Sequence, residues 1–345
     1  MANILINYFI QFSAGSKFNA TVARMDVIKT FKSIGAETIN FHTPVKAKDP
    51  NIRRMLSYIP DCIHASKQFK HIGLGDNVYF QYPYQGGNFM YNLRKLHDKG
   101  AHITILIHDL EWLRSKSRQE RIDKNVRWLN HADELLVHTP QMADKLRQVG
   151  VTTTMRPIML FDYYAKDAYR DIDQQTTDKN IIAFAGSLDK SAFLRVLDES
   201  SIPENIIFHL YGLEPKIAFN NSQMQYQCKF LPDHTGTIKA GWGLVWDGIS
   251  IDTCSGDLGN YLRMIAPHKL SLYIASGIPP IVWSESAHAK YVTDNHIGIA
   301  VSGIKEAYSK IQTISNEEYK TLVTNCRNIG DELRKGAFLK RVLNY

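Results

Sequence analysis

The sequence predicts two α/β domains in tandem. Short β-rich apolar runs alternate with amphipathic segments from end to end, and Gly35, Gly100 and Gly150 stand where three of those helices should stop. The alternation breaks once, between Phe161 and Lys179, and then resumes. A chain of 345 residues has room for two domains at about 150 residues each.

In the first half the sequence predicts strands at Ile4–Tyr8, Thr38–Phe41, Asn77–Tyr82, His102–Ile107 and Glu134–His138. Helices are predicted at Thr21–Ser33, Arg53–Phe69, Asn88–Lys99, Arg118–Asn130 and Gln141–Val149. Strands separated by helices imply right-handed βαβ units and a parallel sheet, hence a Rossmann-like layer. The run FDYYAKDAYRDIDQQTTDK is polar and has no period, which marks it as the interdomain connection. Beyond it, strands are predicted at Ile181–Ala185, Ile206–Tyr211, Gln225–Phe230, Gly243–Trp246, Pro280–Trp283 and Ile297–Val301. The intervening helices fall at Lys190–Asp198, Leu258–Met264 and His268–Ser276, and one more runs from Ile304 to about Leu343. The predicted organisation is residues 1–160, a connection over 161–179, a second domain over 180–330 and a C-terminal helix over 331–345. Open parallel sheets bind ligands beyond the carboxyl ends of their strands, so two such domains should work across the cleft between them.

Composition excludes several classes. Hydrophobic residues make up 44% and charged residues 22%, which rules out disorder and fibrous repeats. The net charge of +7 suits an anionic ligand at one site better than a nucleic-acid track, and the basic residues are dispersed with no RRM, KH or helix-turn-helix pattern. Cys62, Cys228, Cys254 and Cys326 are widely spaced without CxxC, as expected of reduced thiols in a cytoplasmic protein. No basic leader and no run of about 18 apolar residues is present, so a soluble protein is expected.

The most informative stretch is NYLRMIAPHKLSLYIASGIPPIVW, Asn260 to Trp283. Pro267 suits the first position of a helix that Gly277 ends, and a phosphate at that helix start would meet backbone N–H groups, the positive dipole end and Lys269. A plain helix–turn–strand unit with a surface lysine is the competing reading.

The run from Ala275 to Val282 resembles the end of the nucleotide-sugar site in GT-B glycosyltransferases. FQYPY (Phe80 to Tyr84), IHDLEWLR (Ile107 to Arg114), FAGSLDKSAFL (Phe184 to Leu194), FHLYG (Phe208 to Gly212), WGLVWDG (Trp242 to Gly248) and NYLRMIAPHKLSLY resemble one bacterial family more narrowly. Its members are glucosyltransferases that extend N-acetylglucosamine on serine-rich-repeat adhesins, with related β-1,6-galactofuranosyltransferases. The resemblance implies a GT-B fold, a UDP-sugar donor in the C-terminal domain, an acceptor site in the N-terminal domain and a homo-oligomer, a tetramer or a dimer. The aromatic residues Phe89, Tyr91 and Trp128, read as exposed, are consistent with self-association.

Beside that resemblance, Gly186 and Ser187 follow a strand and can admit a phosphate or simply make a turn, and Lys190 can add a second cation. Tyr211 and Gly212 end the next strand, with Tyr211 either edging the base or filling the core. Asp247 can accept from donor-sugar hydroxyls or hold a turn. Asn260 stands where many GT-B enzymes carry an acidic residue for the ribose. In the first domain, Gln81 and Tyr82 follow one strand and His108 and Asp109 the next. Displacement at an anomeric carbon needs a general base, for which Asp109 is the first candidate and His108 the second, with Glu111 behind them; Asp109 as a helix cap is the alternative. Ser16 and Lys17 fall in the small-residue loop SAGSKFN, a candidate closing loop. No metal is expected: Asp171 to Asp173 reads as a solvated turn, and His64, His71, His97 and His102 form no helical HxxxH pair. No cofactor is needed beyond the UDP-sugar substrate. The leading reading is an inverting glucosyl or hexosyl transfer to a GlcNAc-bearing, Ser/Thr-rich protein. The alternatives are a galactofuranosyl or hexosyl transfer into a cell-surface polysaccharide and a catalytically silent GT-B partner subunit.

Overall fold

A computed structural model describes residues 2–10, 22–43, 50–84, 87–115 and 117–345. It divides the chain into two compact units, Met1–Ile158 with Leu339–Tyr345, and Met159–Phe338.

The first unit holds a six-stranded parallel sheet: β1 (Asn3–Ile10), β2 (Glu37–Thr43), β3 (Asn77–Tyr82), β4 (His102–Ile107), β5 (Glu134–Val137) and β6 (Thr154–Pro157), in the order β2-β1-β3-β4-β5-β6. The strand order reverses between β1 and β3, which makes their carboxyl ends the ligand-binding point of such a sheet. Its core is built from Ile4, Ile6, Phe80, Ile103, Ile105 and Leu135, all fully buried. Near-continuous apolar strands are what a sheet covered on both faces requires. A cavity of about 710 Å³ lies at the opposite, amino-terminal edge, lined by Asn77, His102, Glu134, Arg156 and Tyr345 among others. Open parallel sheets bind ligands at the carboxyl ends of their strands, so this cavity is set apart from the candidate site.

The second unit also holds six parallel strands: β7 (Ile181–Ala185), β8 (Ile207–Tyr211), β9 (Met224–Cys228), β10 (Trp242–Val245), β11 (Pro280–Trp283) and β12 (Ile299–Val301), in the order β12-β11-β10-β7-β8-β9. This is the dinucleotide-binding order, with its switch point between β7 and β10. Trp242, Trp246, Trp283 and Phe184 fill its core. The helix Asn316–Arg334 crosses the helix His268–Ala275 so closely that a Cβ on Gly330 would lie 2.5 Å from the Ile274 carbonyl oxygen.

Three expectations are corrected. The polar run 161–179 belongs to the second unit: Phe161 and Tyr163 are buried, and buried Gln175 donates to the Gly277 carbonyl at 2.8 Å. The long C-terminal helix is three helices, Ile304–Thr313, Asn316–Arg334 and Ala337–Val342, because Ser315 and Glu318 form a capping box and Gly336 takes φ +73°. Phe89 is buried and stacked on Tyr84, with Trp128 edge-on to it, so it is a packing residue of the first unit. The predicted stops at Gly35, Gly100 and Gly150 do take positive φ.

Candidate active site

In the second unit the carboxyl ends of β7 and β10 converge on Lys269. Its ammonium donates to Asp247 Oδ2 and to the Trp246 carbonyl, each at 3.0 Å, and lies 4.6 Å from the centre of the Phe184 ring. The ion pair is partly shielded, with side-chain exposures of 18% for Lys269 and 26% for Asp247. Lys269 is the second residue of the helix His268–Ala275, so its charge adds to the positive end of the helix dipole. Pro267 is the N-cap at φ −69°, one position earlier than the sequence implied.

Glycine is required by close backbone approach at two of these strand ends. Gly212 has φ +155°, and a Cβ there would lie 2.2 Å from the Gly186 carbonyl oxygen; Gly248 has φ +110° and would meet the Ser255 oxygen at 2.3 Å. Gly186 differs. A Cβ there would meet only Phe184 at 3.5 Å and the Lys269 stem at 3.8 Å, which is ordinary contact. The missing side chain at Gly186 is therefore not demanded by the fold.

Tyr273 holds this arrangement, a role the sequence reading missed. Its hydroxyl accepts from the Ala185 N–H at 2.8 Å and donates to the Ala183 carbonyl at 3.1 Å, and its ring occupies the space where a Cβ on Gly243 would lie, 2.2 Å from the ring. The pairing of a glycine in β10 with a tyrosine four residues after Lys269 was the available signal. Tyr211 is in the core at 1% exposure, its hydroxyl accepting from the Lys239 N–H at 2.9 Å, so of its two readings the structure gives it the packing one. The Ser187 carbonyl accepts from the Lys190 and Ser191 N–H groups, while the Lys190 side chain is exposed. Asn260 is exposed on the helix Gly256–Tyr261. Gly186, Gly212, Asp247 and Lys269 are thus brought together, whereas Lys190 and Asn260 are exposed.

In the first unit, polar side chains from four neighbouring strands form a row, from mid-strand in β1 and β2 to the carboxyl ends of β3 and β4. Asn7 and Asn40 are direct partners in the β1–β2 register, and Asn7 Nδ2 donates to Asn40 Oδ1 at 3.0 Å. Gln81 Nε2 donates to Asn7 Oδ1 at 2.6 Å, and His108 Nε2 lies 2.6 Å from Gln81 Oε1. Asn7 and Gln81 are each only 2% exposed. Tyr82, the next residue along β3, points to the other face as strand alternation requires. It is 2% exposed, and its hydroxyl is held by Asn125 and by the Trp112 indole N–H, so the acceptor role read for it is corrected to packing. Asp109 does not cap a helix: the N-cap of Glu111–Arg114 is Leu110, and Asp109 Oδ2 instead accepts from Arg114 at 3.2 Å. Glu111 pairs with Arg121 at 3.0 Å. Arg24 donates to the Pro83 carbonyl at 2.6 Å, and burial pulls its guanidinium down to about 10. Ser16 and Lys17 lie outside the described residues.

Asp171 accepts from the Asp173 and Gln174 N–H groups as a helix cap, and Asp173 pairs with Lys320 at 2.8 Å. Among the described residues no group of three or more His, Cys, Asp or Glu could hold a metal ion, and no helix is long and apolar enough to cross a membrane.

Comparison with known proteins places this geometry. Across its whole length the chain superposes on sucrose-phosphate synthase from Thermosynechococcus elongatus at TM-score 0.68 and 14% identity, covering 98% of that chain. It superposes on Anabaena HepE, solved with UDP and glucose, at TM-score 0.61 and 10% identity, with 99% of this chain and 98% of that one covered. Two parallel Rossmann-like units with such neighbours define the GT-B fold. Models of the Glucosyltransferase 3-like N-terminal and C-terminal domains match residues 4–158 and 182–345, and the chain belongs to that family. Its relatives include the β-1,6-galactofuranosyltransferase WbbI of Escherichia coli (strain K12), 30% identical over 246 residues and 70% of each chain. Glucosyltransferase 3 of Streptococcus gordonii is 26% identical over 352 residues, 98% of this chain and 97% of the relative.

Proposed function

We propose that the protein is an inverting, UDP-sugar-dependent hexosyltransferase that transfers glucose to N-acetylglucosamine on a serine-rich glycoprotein. The observation that carries the donor assignment is the Lys269 ammonium at a helix start beside the open face of Gly186, at the β7/β10 switch point. A pyrophosphate there replaces Asp247 as the partner of Lys269 and takes the helix-end N–H groups, so its charge is neutralised by this chain's own cations and dipole. Ser187 and Lys190, in the loop after β7, and Asn260 are the further donor contacts, on the phosphate and ribose sides respectively. In the first unit His108 is the better-placed base, because Asp109 is engaged by Arg114 whereas the imidazole is held at the end of the amide row. The base takes the acceptor hydroxyl proton as that oxygen bonds to the anomeric carbon and the carbon–oxygen bond to UDP breaks on the opposite face, a single displacement that inverts the carbon and releases UDP. The relative named for galactofuranosyl transfer favours a second reading, a hexosyl transfer into a cell-surface polysaccharide. Three buried, unpaired thiols, Cys62, Cys254 and Cys326, support work in the cytoplasm.

UDP-hexoses supplied with either a GlcNAc-bearing peptide or a lipid-linked sugar separate the two readings. UDP release with the peptide supports the first, release only with the lipid-linked sugar the second, and release with neither overturns both.

The glycines provide an independent check. Gly186→Ala should fold with an unchanged melting temperature yet bind UDP at least about tenfold more weakly, since a methyl group stands where the phosphate approaches. Gly212→Ala should instead lose roughly 1–3 kcal/mol of stability from the backbone overlap and the positive φ. Thermal melts and UDP titration of both variants read the difference.

A further inference from the structure

The row Asn40, Asn7, Gln81, His108 has a direction. An amide can donate only through nitrogen and accept only through oxygen, so each hydrogen bond fixes the next. Asn7 Nδ2 donates to Asn40 Oδ1, which turns Asn7 Oδ1 toward β3; Gln81 Nε2 donates to that oxygen, which turns Gln81 Oε1 toward His108 at 2.6 Å. The histidine nitrogen that meets an acceptor oxygen must carry the proton. We propose that Gln81, backed by Asn7 and Asn40, is a positioning residue that holds His108 as the Nε2–H tautomer and thereby makes Nδ1 the proton-accepting atom of the transfer reaction. The catalytic half of this proposal rests on the functional reading above; the tautomer half stands on the row alone.

The row is built for this task. Asn7 and Asn40 are register partners, Gln81 lies on the adjacent strand, and His108 leaves β4 directly after Ile107, its N–H donating to the Tyr82 carbonyl at 2.8 Å. Two of the three amides are almost fully buried on strands whose neighbours are Ile6, Phe80 and Ile105, where apolar side chains would add stability. Buried amides chained in one direction in such a place cost desolvation, and the chain offsets this only if every member is satisfied. The Asn7–Gln81 hydrogen bond spans the sheet's switch point between β1 and β3, and the amides end at the imidazole just after the neighbouring β4.

The test uses the full-length protein. Nitrogen-15 NMR of the histidine-labelled chain, with His108 assigned through His108→Asn, should show a protonated Nε2 and an unprotonated Nδ1 in the neutral ring. A protonated Nδ1 would mean that the amides run the other way, and it would overturn the proposal whether or not the protein is a transferase. Gln81→Leu should lower kcat about 10–100-fold with KM for the donor unchanged, and its His108 should become a mixture of tautomers. Gln81→Glu keeps an acceptor oxygen for Nε2–H, and should restore the tautomer and most of the turnover at pH 8.5. A purely structural role for Gln81 predicts equal losses of melting temperature in both variants and no change of tautomer. Retained kcat in folded Gln81→Leu would likewise overturn the catalytic half.

Discussion

His108→Asn should lower turnover about 10²–10⁴-fold while leaving UDP affinity essentially unchanged, the signature of a lost general base. Asparagine is near in size and keeps a polar end, but it cannot accept a proton at neutral pH. The matching variant is Asp109→Asn. Its carboxylate accepts from Arg114 at 3.2 Å, and with side-chain exposures of 36% for Asp109 and 31% for Arg114 that pair is a screened one. Such a pair contributes about 0–1 kcal/mol, and Asp109→Asn should fold and turn over nearly as the parent does. Steady-state kinetics on both variants decide between two neighbouring residues that the sequence ranked in the opposite order. Loss of turnover in Asp109→Asn with normal turnover in His108→Asn would return the base to the carboxylate.

Lys269→Ala should weaken UDP binding by about 1–3 kcal/mol, roughly 5–150-fold, as expected for one charge-assisted contact. The loss should sit toward the upper end of that range. Removing the ammonium leaves Asp247 without its 3.0 Å partner, so a carboxylate then stands against the incoming pyrophosphate. Lys269→Ala combined with Asp247→Asn should recover part of the affinity, because the repelling charge is gone. Calorimetry on the two variants separates attraction from repulsion, and unchanged affinity in folded Lys269→Ala would move the phosphate elsewhere.

Most of the fold was legible because parallel strands buried on both faces announce themselves as apolar runs. β3, β4, β7 and β11 have the predicted limits to the residue. The strand Thr154–Pro157 was missed, since TMRP sits at a sheet edge, half exposed, with Arg156 engaged by Glu134 instead of packed in a core. The connection over 161–179 was misread because its helix Ile172–Thr177 is short and polar, while its anchors are single residues such as Gln175 and Tyr163. The placement of Lys269 at a helix start and of Gly186 at a strand end was legible. Asn7, Asn40 and Tyr273 were not. The significance of the asparagines lies in cross-strand register, and that of Tyr273 in a hydroxyl reaching a strand 88 to 90 residues away, to which only the distant glycine of β10 could have pointed. Tyr82 and Tyr211 were over-read for a related reason: a strand's last residue is as often turned into the core as toward the ligand, and only the pleat decides which.

The central claim is that this chain moves a hexose from a UDP-sugar. Its most direct test is UDP release by the wild-type protein, followed across a panel of UDP-hexoses with and without a GlcNAc-bearing peptide or a lipid-linked sugar. Acceptor-dependent release from at least one UDP-hexose, abolished in His108→Asn, is the expected result. No release from any donor with either acceptor, by a folded protein that binds UDP, would show a silent glycosyltransferase fold and contradict it.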